Sequence, residues 1–351
     1  MTKTTIAMGE ERPFKLSWID RFNNWVKKLP VHARIFFIVF GFVLIVVQIL
    51  FIWLEGGLQD LELLPVIIFN GLFTSFLLAL IQFLDNQALV ALSAMRPVLD
   101  TTEAEFERHK YMLANMPSRA VLIAGLTTVG FAILMERLWI TPIRYAALEQ
   151  LPLFAVVFHI IDKSSAFLFG VFIYHTIRQL RLINIINLHL IRISLFNLRP
   201  LQAFSSLTAP TAVGLVVGVY GWIMINPELL TDPVVIGFVG VITILAVAVF
   251  ILPLVGIHRL MQKEKERLLR ALDLNFEAAF SKFNKGFRDD DYAAIEGLNG
   301  TIASLEIQHN RIKAIPTWPW KPETAQFALT AIGLPLALTI LRFLVEQAFG
   351  R

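Results

Sequence analysis

The sequence contains no cysteine, which excludes disulfides, thiolate metal sites and cysteine nucleophiles. Charge is scarce too. Only 17% of the residues are Asp, Glu, Lys or Arg, against 56% hydrophobic. With a mean hydropathy of +0.65, this balance excludes an ordinary water-soluble domain, in which about a quarter of the residues are charged. There is no Gly-rich phosphate loop and no His-Glu-x-x-His. The seven histidines (His32, His109, His159, His175, His189, His258 and His309) show no metal-ligand spacing. The N-terminus has no short apolar stretch followed by a small-residue cleavage site, so no cleaved leader is expected. The chain reads as a non-enzyme with no cofactor, no metal and no nucleic-acid partner. Its expected partners are the lipid bilayer and further copies of itself; the residues name no ligand.

What the chain does have is apolar runs of about 18 or more residues. They cover 34–54, 63–84, 119–139, part of 151–182, 206–225, 234–257 and 323–349. A backbone in hydrocarbon must satisfy its own hydrogen bonds, so these runs predict helices. The predicted fold is all-α: a polytopic membrane protein of about seven transmembrane helices with cytoplasmic helical extensions. Residues 1–33 form a cytoplasmic N-terminal amphipathic helix. Residues 34–257 form a six-span region with cytoplasmic helices at 85–118 and 178–200. Residues 258–315 form a cytoplasmic helical hairpin, and 316–351 a Trp/Pro hinge followed by the terminal transmembrane helix.

Orientation is read from Lys and Arg. They concentrate before residue 34 and in 85–118, 178–200 and 258–322. The loops 55–63 and 227–233 contain none, and 140–150 has only Arg144. The positive-inside rule then places the N-terminus in the cytoplasm and the C-terminus outside, in the cell membrane. Trp53 and Trp139 fall at the outer interface, and Trp318 and Trp320 at the inner one.

Smaller signals fill in this frame. Phe14, Trp18, Phe22, Trp25 and Leu29 share one helical face, which suits either a helix lying in the membrane interface or one packed on other cytoplasmic helices. Asp100 to Glu103 is a helix start. Gly214 and Gly218 form a Gly-x-x-x-Gly, which allows close helix approach. In the hairpin, one stripe runs through Leu269, Leu272, Phe276, Ala279, Phe280 and Phe283. The other runs through Ile295, Leu298, Ile302, Leu305 and Ile312; two such stripes pack antiparallel. Gly286 fits a C-cap, Asp289 an N-cap and Glu266–Arg270 an i, i+4 pair.

Three groups are candidate sites. His159, Asp162 and Lys163 sit in the fourth apolar stretch. If the span covers 151–174 they are a polar intramembrane site, where ionisable groups are costly. If it covers 164–181 they lie at the outer surface and need no function. His159 and Asp162 can meet at i, i+3, whereas Asp162 and Lys163 point apart. His175 reads as a packed residue. The second group is the hinge: Pro316, Trp318, Pro319 and Trp320 interrupt the helix between hairpin and terminal span. The third is Arg342 and Glu346, either a structural pair or an outer vestibule.

This layout resembles one family, the seven-transmembrane ion channels that include insect odorant and gustatory receptors. The resemblance rests on a cytoplasmic N-terminus, short external loops, and spans four to six extended into 178–200 and 258–287. It rests further on a cytoplasmic helix at 292–315 split from a terminal span at 323–349. Gln326-Phe327 is the part of that family's short signature found here. The resemblance implies a homo-oligomeric ion channel with a cytoplasmic helical anchor and a pore lined by the terminal helix. Two other readings stand beside it. One is a secondary transporter with a polar site in span four; the other is a non-transporting membrane sensor or scaffold.

Overall fold

The structure is a computed structural model that describes residues 13–57, 63–138, 148, 150–190, 195, 205–225, 233–288, 292–320 and 322–349. The described residues form ten α-helices and no strand. We label them α1 (Trp18–Val26), α2 (Ala33–Leu54), α3 (Leu64–Met95), α4 (Glu103–Ala114), α5 (Ser118–Leu138), α6 (Pro152–Leu190), α7 (Ser205–Ile225), α8 (Pro233–Arg288), α9 (Tyr292–Ala314) and α10 (Pro322–Phe349).

Six helices are long and apolar enough to cross a membrane: α2, α3, α5, α6, α7 and the first part of α8. Their surfaces fit that environment. Ile35, Ile38, Val39, Phe42, Val43 and Val46 of α2 are all exposed, a contiguous apolar face that water would not tolerate on a monomer. At about 1.5 Å per residue, the 22 residues of α2 rise about 33 Å, close to the bilayer core. In α10 the described apolar stretch, Glu323–Leu338, is shorter than a span.

α3 is the hub, packing against α1, α2, α4, α6 and α7. Small residues set these contacts. Gly71 meets α2 so closely that an added Cβ would sit 2.7 Å from Ile45 and 3.2 Å from the Gly41 carbonyl. Ser75 of α3 donates to the Phe37 carbonyl of α2. Gly214 and Gly218 of α7 act otherwise than their spacing predicts. Leu80, Phe172, Phe73 and Phe169 side chains of α3 and α6 occupy the space above them, so the glycines receive side-chain knobs rather than a second backbone.

The first described residues are tied down by backbone and side chains together. Ser17 N–H donates to Met116 O at 3.1 Å, and Ser118 N–H to Lys15 O at 3.2 Å. Ser17 and Asp20 form a capping box that starts α1. Sequence alone placed the aromatic stripe of α1 against either lipid or protein. The structure divides the two faces. Ile19, Asn23 and Val26 are buried, while Trp18 and Trp25 are exposed. The protein-facing side is thus the polar-containing one.

Several boundaries are corrected. α3 continues to Met95 before a single 3-10 turn at Arg96–Val98, so the helix at 85–118 is in part an extension of the second span. α4 starts where expected, with Thr102 as N-cap and Glu105 closing its capping box. α8 runs unbroken for 56 residues, about 84 Å, joining the sixth span to the hairpin arm. Gly286 lies inside it rather than capping it, because the helix continues to Arg288. Asp289 lies outside the described residues. The pair at the start of the arm is Arg267 on Glu264, at 2.6 Å. Glu266 accepts from Gln262 instead of meeting Arg270. The antiparallel hairpin is present: α9 packs along α8, with Ala279 and Ile312 buried, but Phe276 and Phe280 of the expected packing stripe are exposed.

Candidate functional site

The first site is built where α5 and α6 run antiparallel. Gly170 lets them close: a Cβ there would meet Thr128 and lie 2.7 Å from the Ala124 carbonyl. This register brings Glu136, near the end of α5, opposite His159, Asp162 and Lys163. Lys163 Nζ lies 2.6 Å from Glu136 Oε2 and 2.8 Å from Asp162 Oδ2. His159 Nδ1 is 3.8 Å from Glu136 Oε1. Asp162 and Lys163 therefore do not point apart: the four-carbon lysine stem folds back onto its neighbour. His159 turns to Glu136 of the next helix. Sequence reasoning missed Glu136 because its partner lies in a different helix, and no local spacing encodes that.

Lys163 lies eleven residues after Pro152 in α6, about 16 Å along the helix. It also lines a groove of about 610 Å³ between α2 and α5. Trp18, Phe22, Phe40 and Leu122 are among the groove's walls. Beneath it, Thr74 and Ser165 share a buried hydrogen bond of 2.5 Å. Glu136→Gln would leave the Lys163 ammonium with Asp162 alone. We expect it to cost about 1–3 kcal/mol, read as a lowered thermal unfolding midpoint in detergent. An unchanged midpoint would show that Glu136 contributes nothing to holding α5 on α6.

The second site is the hinge, which the structure turns into a ring stack. His258 of α8 lies 4.1 Å from Trp318 between ring centroids. Trp318 lies 4.5 Å from Trp320, and Trp320 lies 5.2 Å from Phe250. All three pairs are stacked within 15° of parallel. His258 Nδ1 approaches the Thr317 carbonyl at 3.2 Å. Lys265 Nζ donates to the carbonyls of Lys313 and Ile315 at 2.6 and 2.8 Å. Pro319 is buried, and Pro316 is exposed. Trp318 and Trp320 are thus fastened to α8. His258 and Phe250 were missed as partners. The signal was available: an antiparallel hairpin that leaves α8 at 258 returns beside it near 318. The side chains of Arg342 and Glu346 lie outside those described, as does Trp139.

The third site was not foreseen. Asp85 of α3 and His175 of α6 are buried side by side, with Oδ1 and Nε2 3.2 Å apart. The approach lacks hydrogen-bond alignment, and both atoms remain without a hydrogen-bond partner. Around them Arg178 Nη1 donates to Met112 O and Asn115 O at 2.5 and 2.8 Å. Gln179 Nε2 donates to Leu113 O at 3.2 Å. These bonds fasten the chain between α4 and α5 to α6. Sequence reasoning took His175 as a packed residue, which it is, but Asp85 sat just past the expected end of span two and drew no notice.

The fold and these sites define a class: an all-helical, multi-pass membrane protein with ionisable groups inside its bundle. Set against known proteins, the chain matches no protein family, no characterised relative and no solved structure.

Proposed function

We propose that the chain crosses the membrane seven times, assembles with copies of itself around α10, and passes ions along that helix. The N-terminus is cytoplasmic in this reading and the C-terminus external, as the Lys and Arg distribution predicts. One observation carries it. Gln326, Thr330, Gly333 and Ala337 share a face of α10 at steps of four, three and four, and all are exposed. Ala328 and Ile332, on another face, are buried in the main core. Polar side chains turned to lipid are unfavourable, whereas small and polar residues suit a helix interface or a wet pore. The cytoplasmic arm supports assembly as well. Phe276 and Phe280 of α8 are stacked and exposed on an otherwise charged helix, a patch of the kind that marks protein contacts. The ring stack at Trp318 then couples the arm to α10.

The absence of cysteine makes the test clean. With Thr330→Cys as the only thiol, mild oxidation should link copies into dimers on a denaturing gel. Leu338→Cys, on a different face, should link far less. Equal and negligible linking at both positions would remove α10 from the subunit contact. A secondary transporter is the second reading, favoured by the Glu136–Lys163–Asp162 triad inside the bundle. It predicts coupled solute uptake into liposomes in place of ion current.

A further inference from the structure

α1 covers a cluster of buried polar side chains that the proposed conduction path does not use. They are Asp20 and Asn23 of α1, Gln82 and Asp85 of α3, and His175, Thr176 and Gln179 of α6. Every one of these residues is at least nine-tenths buried. Gln82 is spent on the Asn23 carbonyl at 3.1 Å, and Gln179 on Leu113. Asp20 uses only Oδ2, which accepts from the Ser17 and Met116 N–H groups at 3.2 and 2.8 Å. Asp20 Oδ1, both side-chain polar atoms of Asn23, Asp85 Oδ1, both His175 nitrogens and Thr176 Oγ1 are buried without a hydrogen-bond partner.

Each orphaned polar group is unfavourable when dry. A cluster of them would consume the whole margin by which a protein is stable. Such groups are normally satisfied by internal water, which needs two to four polar partners. The donors do not converge as metal ligands do: among the described residues no three His, Asp or Glu side chains come together in that way. The Asp85–His175 contact adds an acid and a base at 3.2 Å.

We propose that this buried polar cluster is a hydrated proton-binding site, in which Asp85 and His175 hold one exchangeable proton, water links them to Asp20 and Asn23, and α1 is the lid. The proton comes from the adjacent aqueous phase and returns to it; no covalent bond changes. The charged groups facing the pair are Asp20 and Lys27 from α1 and Arg178 from α6. Tyr174 lies beside Arg178. α4 turns His109 inward, with Glu105 and Arg108 as that ring's charged neighbours.

Proton binding and lid closure are then linked. Burial pushes the Asp20 carboxyl above its ordinary value of 3.8, against the pull of the Met116 and Ser17 hydrogen bonds, and the Asp85 charge pushes it further. An acid raised in the docked state binds its proton more tightly there than in the undocked state. Docking of α1 is therefore weakest above the raised value and strengthens as pH falls through it toward 3.8.

The test uses the full chain in lipid nanodiscs. Infrared difference spectra between acidic and alkaline buffer should show a carboxylic-acid carbonyl band that shifts in heavy water. Asp85→Asn should diminish that band, leaving the Asp20 contribution, and His175→Gln should displace its midpoint. A spin label on Asn24→Cys, on the exposed side of α1, should become more mobile as pH rises. In Asp85→Asn its mobility should change at a lower pH, because the Asp85 charge that helps raise the Asp20 carboxyl is gone. If Asp85→Asn is not monodisperse, His175→Gln decides, because it keeps the carboxyl and changes only its proton partner. A wild-type spectrum without such a band overturns the proposal. So does a band undiminished in Asp85→Asn, or a midpoint untouched in His175→Gln.

Discussion

Replacing Trp318 and Trp320 together by alanine should uncouple α10 from the cytoplasmic arm while leaving the chain inserted. Trp→Ala in a core costs about 3–5 kcal/mol. These rings are half-buried, so each falls toward the lower end. Stacking contributes about 0.5–1.5 kcal/mol per aromatic pair within that loss. The variant removes all three pairs that run from His258 through Trp318 and Trp320 to Phe250. It leaves the Lys265 bonds to Lys313 and Ile315 in place, so the hairpin should still form. In planar bilayers the expected result is a changed open probability with unchanged particle size. Trp53→Ala is the control, since Trp53 is exposed at the end of α2. If the double variant conducts like the parent, or is lost only through misfolding, the stack is structural and does not gate.

How much of this was legible in the sequence depends on the range of the interaction. Signals local to one helix were readable. Thr102 and Glu105 lie three residues apart and specify the start of α4. The apolar runs specify six spans to within a few residues at most ends. The stripe ending in Ile312 specifies an antiparallel hairpin. Interactions between helices were not readable. Glu136 and Lys163 are 27 positions apart, and Asp85 and His175 are 90 apart. Their meeting depends on the register of α5, α3 and α6, which no periodicity within one helix reports. Helix ends were misplaced where the helix outlasts its apolar run. α8 continues as a charged helix because Gln, Lys, Glu and Leu favour helix in water as well, and α3 continues through Asp85, Asn86 and Gln87 into a second apolar stretch that ends at Met95. The expected breaks at 84 and 257 fall just before polar residues, and the backbone does not stop there.

The second large effect should come from Gly170→Ala. Most single substitutions on a helix face shift stability by about half a kcal/mol. Here the new methyl would stand 2.7 Å from the Ala124 backbone carbonyl and against Thr128. A backbone atom cannot swing aside as a side chain can. α5 must move away from α6, and overpacking of this kind costs about 1–3 kcal/mol. The movement should also separate Glu136 from Lys163, whose contact depends on the same register. We therefore expect Gly170→Ala and Glu136→Gln to be less than additive when combined, because they break one shared contact. Unfolding midpoints of the two single variants and the double variant in detergent check this. Gly130→Ala is the reference, since nothing lies within 4 Å of its added methyl. Additive losses would mean that the close helix approach and the ion pair are independent.

The central claim is that copies of this chain assemble around α10. Electron microscopy of the full chain in lipid nanodiscs tests it most directly. The account predicts a rotationally symmetric ring in which α10 is the helix nearest the axis, with Gln326 and Thr330 turned toward it and the α8–α9 arms meeting on the cytoplasmic side. A monomeric particle, or a ring with α10 on its lipid-facing rim, would contradict it.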